Sequence, residues 1–432
     1  MRKTWKIFGL LPFMLNPGSL GTFPSNPAAH TVTVAASTSV HKENADYVCD
    51  GIDDQVEINA ALDYLASLPN VGSLNFLEGL FSISAPIVIP DVLYGLFTIS
   101  GRGAGATTIY AANGSNCNLI QTNITSGHQV FLIMRDIMIQ GNRANNPTGG
   151  RGFYDGVGSG TCKDTLFQNM FFYNCHGNCA EWTSCWGAKI IDSIFEDSDA
   201  KGIYCSGGTD IRMVGNKFIH VLGSAIETNA PASYMVGNFI EHAGNGNFGI
   251  KVLSGANYSV VEANEIHHDT EFNSCTGIYS AAGYGVIGNN IVESATNTAF
   301  AYGIQLAAAS SYNIGVANQI NISGGLELSN AGTANSVEFN SMEKPKGCRY
   351  STSGLSVSAG DNSIFINSGS PQSVTLPASP YIGQIFHVFN LGSGTVTIMG
   401  NGNNINGSAT KTVSSLVGYD LTYFYSGNWA AK

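Results

Sequence analysis

The chain has 432 residues, 52 of them glycine, only 11% charged side chains and a formal net charge of −11. That length holds one long repetitive domain plus smaller appendages. The negative balance argues against a nucleic-acid partner, which needs a basic surface, and no apolar run is long enough for a transmembrane helix.

Residues 1–44 read as an N-terminal segment. Met1-Arg-Lys-Thr-Trp-Lys6 followed by Ile7–Leu15 has the basic and apolar regions of a signal peptide. Pro12 interrupts it and no Ala-x-Ala site follows, so the alternative is a segment that attaches the protein to a larger particle. A short strand at Thr31–Ala35 precedes a helix expected over about 54–68. Asp53 or Asp54 can cap it, Glu57 lies in its first turn, and Ile58, Ala61, Leu62 and Leu65 form one apolar face before Pro69 stops it. Such a helix would cover an open strand edge. Further strands are expected at Ser73–Leu77, Ile87–Ile89, Phe97–Ser100 and Phe131–Ile139, with Gly141–Gly160 as a protruding polar loop. Gly101-Arg-Gly-Ala-Gly105 reads as a turn, because no helix opening with Lys-Ser/Thr follows to complete a phosphate loop.

From Ile190 to Ile320 a phrase recurs: Ile190-Ile-Asp-Ser-Ile-Phe195, Met213-Val-Gly-Asn-Lys-Phe218, Met235-Val-Gly-Asn-Phe-Ile240, Val261-Glu-Ala-Asn-Glu-Ile266 and Val286-Ile-Gly-Asn-Asn-Ile291. Aligning it gives a polar column, Ser193, Asn216, Asn238, Asn264, Asn289 and Asn318, with steps of 23, 22, 26, 25 and 29. A second column is Ile203, Ile226, Ile250, Ile278 and Ile304. A third, two residues after the Asn, is Phe171, Phe195, Phe218, Ile240, Ile266, Ile291 and Ile320. Short apolar segments split by Gly, Asn and Ser suit strands rather than helices, and a period of this length means stacked coils. Strands of successive coils then pair at roughly 4.8 Å, and each column becomes a ladder. An Asn in a turn tolerates left-handed backbone, and its amide can bond the next coil.

Gly324–Ser341 reads as the terminal coil, and Pro345, Gly347 and Ser351–Gly354 as a linker. Beyond it the repeat breaks into alternating runs such as Ser363–Asn367, Ile385–Asn390 and Leu421–Tyr425, expected to form a small antiparallel β domain. Of the nine cysteines, Cys175, Cys179 and Cys185 with His176 have zinc-ligand chemistry. They lack paired Cys-x2-Cys units, so buried thiols between coils are expected, with one or two disulfides as the alternative.

Over roughly 45–345 the chain resembles the pectin lyase-like right-handed β-helix superfamily, asparagine ladder included. Asp53–Ala61 followed by Leu74–Phe81 looks like the entry of many tailspike and pectin lyase-like proteins. Residues 376–429 are similar to the small C-terminal β domains of phage tail fibres and spikes. The resemblance implies an all-β fold: an N-terminal segment (1–44), a right-handed parallel β-helix with a capping helix (45–345) and a C-terminal β domain (346–432). It also implies a cell-surface polysaccharide as partner, a homotrimer, attachment to a virion through the N-terminus, and a virion or extracellular location. The superfamily holds lyases, hydrolases, epimerases and tailspikes, so fold does not choose the reaction.

Chemistry on such a solenoid belongs to outward columns. The residue after each ladder Ile faces out, because strand neighbours alternate. That column is Glu181, Tyr204, Glu227, Lys251, Tyr279 and Gln305. Tyr204 and Tyr279 offer faces for sugar rings, and Lys251 and Gln305 offer groups for hydroxyls. Glu181 and Glu227, two coils or roughly 9.6 Å apart, are candidate acid and base, since inverting glycosidases hold their carboxyls about 6.5–9.5 Å apart. The same pattern also suits a solvated strand face with a Glu227–Lys251 ion pair. A second series, Tyr173, Asp197, His220, His242, His268 and Glu293, adds His242 and His268 as proton-transfer candidates, or else stacked core-edge groups; Glu196, Glu241 and His267 lie beside it. Glu265–Glu271 is expected in a bulging loop. No metal site or cofactor is assigned, with Ca²⁺ entering only if the reaction is a lyase elimination. The function expected is a tailspike-like protein that binds a surface polysaccharide, with or without depolymerising it. The alternatives are a secreted monomeric polysaccharide lyase or glycoside hydrolase, and a non-catalytic adhesin or structural spike.

Overall fold

The computed structural model describes residues 30–158, 161–268, 274–294, 300–322, 326–339, 348–357, 363–380, 384–424 and 428–431. The expectations for residues 1–29, for the Pro345–Gly347 linker and for Asp269–Glu271 lie outside them.

The chain is a right-handed parallel β-helix whose coils have three faces. Inward columns on each face are apolar and continuous. On the first face Leu74, Ile99, Met134, Phe167, Ile190, Met213, Met235, Val261 and Ile287 pair rung to rung. On the second, Ile139, Phe172, Phe195, Phe218, Ile240, Ile266, Val292 and Ile320 do so. On the third, the column Ile203, Ile226, Ile250, Ile278 and Ile304 is in register as expected. All five of its members are at most 1% exposed. Two positions of the expected second-face column shift by one: Phe172 replaces Phe171, and Val292 replaces Ile291. A one-residue slip exchanges inside for outside, and Phe172 and Val292 are the buried ones. Phe172, Phe195 and Phe218 stack at 5.1 and 4.9 Å.

The turn between the first two faces carries the Asn ladder. Asn216, Asn238, Asn264, Asn290 and Asn318 are buried. Each carboxamide oxygen accepts from the backbone N–H of the preceding ladder residue, as in Asn238 N–H to Asn264 Oδ1 at 3.0 Å. Each Nδ2 donates to a carbonyl of the preceding coil, as in Asn238 Nδ2 to Met213 O at 2.9 Å. The ladder member in the fifth phrase is therefore Asn290, and not Asn289. Left-handed backbone falls on the residue just before: Asp192, Gly215, Gly237, Ala263, Asn289 and Ala317 have φ between 51° and 67°. Glycine at 215 and 237 meets that requirement without Cβ strain.

The helix forms over Gln55–Ala66 and packs its buried Ile58, Ala61, Leu62 and Leu65 on the first strands, His30–Ala35 through Ile87–Ile89. Asp54 does not cap it. Its carboxylate accepts instead from the Gly51 and Ser82 amides, both at 2.7 Å, and burial pushes the carboxyl above its ordinary range. The region expected as a protruding loop contains a core strand, Phe153–Gly158, paired on the third face between Ile120–Ile124 and Ala180–Trp182. Phe131–Ile139 is two strands, Gln129–Arg135 and Met138–Gln140, broken by left-handed Asp136.

Residues beyond 348 have their own core, centred on Ile364, Val374, Phe386, Val388, Ile398, Leu421 and Trp429. Its sheets are mixed rather than antiparallel. Cys348–Ser351, Ser363–Ile366 and Ile385–Asn390 pair in parallel, as do Leu355–Ser356, Gln372–Thr375 and Val396–Met399. The later strands, Thr410–Val413, Gly418–Phe424 and Asn428–Ala431, add antiparallel pairings. Ser363 pairs with His387 and Gln372 with Val396, each 24 positions on (387 − 363, 396 − 372), so coil spacing persists here. The eight cysteines whose side chains are described are free thiols, seven of them buried.

Candidate functional site

The third face presents its outward column as alternation requires. Tyr154, Glu181, Tyr204, Glu227, Lys251, Tyr279 and Gln305 pair in sequence along the axis. Their neighbours in each strand, such as Ile203 and Cys205 around Tyr204, fill the core, which fixes the direction of the central side chain.

Both carboxylates are committed to cations. Glu181 accepts from Arg151 Nε and, at 2.7 Å, from Asn178 Nδ2. Glu227 is clamped by Lys201 Nζ at 2.9 Å and Lys251 Nζ at 3.5 Å, and accepts from Ser224 Oγ at 3.2 Å. Each glutamate side chain is only 7% exposed. The cations also sit on the aromatic rings: Arg151 lies 4.1 Å from the Tyr154 centroid, Lys201 3.5 Å from Tyr204, and Lys251 4.8 Å from Phe248. Burial, then Glu227 and Glu181, push the Tyr204 phenol above its ordinary range. The result is a row of aromatic rings with charge-paired carboxylates between them. Such a row can stack on sugar rings and bond hydroxyls. Arg151 and Lys201, which complete it, reach in from turns and were not picked out from the sequence.

The second series does not form one column. On the second face Tyr173, Glu196, Ile219, Glu241, His267 and Glu293 pair in register. Asp197 and His220 occupy the next place, in left-handed backbone with φ of 55° and 48°, 3.6 Å apart. His242 and His268 lie in the strands Phe239–Ala243 and Glu265–His268, but their side chains fall outside the described residues. The run expected as a bulge starts as strand, and His267 pairs with Glu265 at 2.6 Å and Glu293 at 3.9 Å.

The zinc quartet is not assembled, since Cys175, Cys179 and Cys185 are buried while His176 pairs at the surface with Asp199 at 2.9 Å. Among the described residues the ligand atoms of Cys49, Asp54 and Glu57 lie within 4.8 Å of one another. Asp54 there serves backbone amides, and the group reads as part of the helix entry. A further feature was legible but not singled out. Tyr258, Tyr284 and Tyr312, each two residues before a first-face strand, stack at 5.3 and 5.1 Å and are all more than half exposed.

A family model described as the right-handed β-helix region matches residues 178–342. No curated protein matches the sequence. Among solved structures, the chain is similar to ORF18 of Geobacillus virus E2 (TM-score 0.44, 16% identity), covering 68% of this chain and 59% of that one. It thus spans less than two thirds of the viral protein. It is also similar to PfbA, a surface adhesin of Streptococcus pneumoniae (TM-score 0.47, 13% identity, 88% and 96% covered). A third is an alginate lyase from Paenibacillus sp. FPU-7 (TM-score 0.43, 11% identity, 70% and 99% covered). With TM-scores below 0.5 these likenesses carry no information about chemistry.

Proposed function

We propose that this chain is a tailspike-like protein that binds a cell-surface polysaccharide along its third face. The observation that carries the reading is the column Tyr154–Glu181–Tyr204–Glu227–Lys251–Tyr279, where half-buried aromatic rings and a cation alternate at coil spacing with buried carboxylates along one outward-facing strip. Tyr204 and Tyr279 stack on sugar rings, while Lys251 and Gln305 meet hydroxyls. The chain acts as a homotrimer through its C-terminal domain, with the N-terminal segment attached to a virion. Binding of capsular and pectic polysaccharides tests the first part: Tyr204→Ala should weaken it at least tenfold, and unchanged affinity would remove the third face. Light scattering tests the trimer, and a monomer mass sinks it.

Cleavage is a second reading, favoured by the two-coil separation of Glu181 and Glu227. Against it stand the ion pairs, because each carboxylate is already neutralised by a cation. Binding without cleavage fits these contacts better. Reducing-end and 235 nm absorbance assays decide between hydrolysis, elimination and neither. A wild-type rate in Glu227→Gln would take that residue out of any catalytic role.

A further inference from the structure

A cavity of about 260 Å³ lies at the turn between the first and second faces, lined by Asn75, Ser100, Gly101, Arg102, Arg135 and Asp136, with Phe76 beneath. It sits in the early coils, where the strands Val71–Phe76, Tyr94–Ser100 and Gln129–Arg135 end. The turn is tightly built. A Cβ on Gly101 would meet the Asp136 carbonyl oxygen at 2.3 Å and Thr107 Cβ at 2.8 Å. The Gly101 N–H donates to Arg135 O at 3.0 Å, and the Gly103 N–H to Asp136 O at 3.1 Å. These bonds tie the Arg102 turn to the Arg135 turn of the next coil.

Three acceptor atoms around this cavity are in use. Ser100 Oγ donates to Asn75 Oδ1 at 2.7 Å, and Asp136 Oδ1 accepts from Asn169 Nδ2 at 2.6 Å. Glu78, whose charge interacts with Arg102, gives Oε1 to the Val40 amide. The donors are in the opposite state. Among the described residues neither the Arg102 nor the Arg135 guanidinium makes a hydrogen bond or an ion pair, and Asn75 Nδ2 has no acceptor. Arginine stays charged under all ordinary conditions. In a chain of net charge −11, almost every other described cation near the coils is matched to an acid or a ring. Two guanidiniums that make no hydrogen bond and one free amide donor, set against the single lining carboxylate of Asp136, make a site that is net positive and rich in donors.

We infer that this cavity binds a small oxyanion group — a carboxylate, sulfate or phosphate — held by Arg102, Arg135 and the Asn75 amide. Planar N–H pairs on each guanidinium match two oxygens of such a group. The source is either an acidic sugar unit or free phosphate. The site is separate from the third face and does not depend on sugar binding there.

The test is calorimetric titration of the full chain at low salt with inorganic phosphate, with an acidic uronate oligosaccharide and with a neutral oligosaccharide. Arg102→Ala and Arg135→Ala are each expected to weaken anion binding about tenfold or more, as charge-assisted bonds do. The double variant should lose it, and Arg135→Lys should fall between, keeping charge without the fork. Both side chains are exposed, so circular dichroism and the thermal midpoint should stay at wild-type values. Binding of the uronate without phosphate assigns a sugar-borne carboxylate; phosphate alone assigns free phosphate; both together assign a general oxyanion site. No anion binding at millimolar concentration, or unchanged affinity in the double variant, overturns the inference. Neutral sugar binding that survives in these variants and is lost in Tyr204→Ala would leave the third-face reading standing on its own.

Discussion

Asn290 and Asn289 are chemically identical neighbours, and the structure gives them opposite roles. Asn290 Oδ1 accepts from the Asn264 N–H at 3.0 Å and from Asn264 Nδ2 at 2.9 Å; its Nδ2 donates to Val261 O and Asn318 Oδ1, both at 2.9 Å. It is fully buried. Asn290→Ala removes all four bonds: it leaves the buried Asn264 N–H without an acceptor, takes one acceptor from Asn264 Nδ2, and takes one donor each from Val261 O and Asn318 Oδ1. An unmet buried donor costs about 1–3 kcal/mol, and the other three lost bonds, whose remaining partners keep a second contact, bring the expected loss to about 2–4 kcal/mol. Asn289 is exposed, with φ of 54°, and among the described residues its side chain reaches only Glu262 Oε1 at 3.0 Å. Gly215 and Gly237 hold the same place in earlier coils, so Asn289→Gly should stay within about 0.5 kcal/mol of wild type.

Coils in a solenoid contact only their neighbours, so the damage should be local. The assay is native-state hydrogen exchange, read at the Asn264 amide and compared with Asn216, two rungs away, supported by the urea midpoint. Asn290→Ala should speed Asn264 exchange by at least tenfold and leave Asn216 near wild type. Equal effects from Asn289→Gly and Asn290→Ala, or no change at Asn264, would refute the ladder register.

Other expectations concern the core and the second carboxyl environment. Asp155 is buried beside Thr122, whose Oγ1 donates to its Oδ1 at 2.5 Å, while Oδ2 has no partner among the described residues. Burial pushes its carboxyl up to about 6 from an ordinary 3.8. The native state therefore keeps this proton after the unfolded chain has lost it, and stability falls as pH rises from about 4 to about 6. The two-unit gap corresponds to about 3 kcal/mol. Asp155→Asn should abolish that slope in urea midpoints taken between pH 4 and 7, and an unchanged slope would place the titration elsewhere. Ile226→Ala, between Ile203 and Ile250 in a fully buried column, should cost about 2–5 kcal/mol by denaturation. A cost under 1 kcal/mol would mean that the column is loosely packed. Glu227→Gln leaves the Lys201 and Lys251 ammonium groups facing each other without their anion. Salt should then stabilise this variant more than wild type in thermal unfolding, and an equal salt response would count the clamp as energetically idle.

What could be read from the sequence follows from where the chain is strictly periodic. The Ile203–Ile304 column and the outward Glu181–Gln305 column both hold, because within a strand alternation transmits register from one residue to the next. Turns break that transmission. At Asn289-Asn290 the identical side chains cannot tell which one takes the left-handed backbone, so the repeat points Ile291 inward where the structure has Val292. Asp197 and His220, also left-handed, insert a place that Tyr173 and Glu293 lack, so one expected series divides into two. In the C-terminal domain alternation gave the strands but is silent on direction, and the parallel pairs emerge only from the 24-residue spacing. The charged partners that define both sites, Arg151 and Lys201 on the third face and Arg102 at the cavity, all sit in or beside turns. A column argument finds what a strand presents. The residues that arm or block that surface come from the turns, and there the geometry must be seen before the chemistry can be assigned.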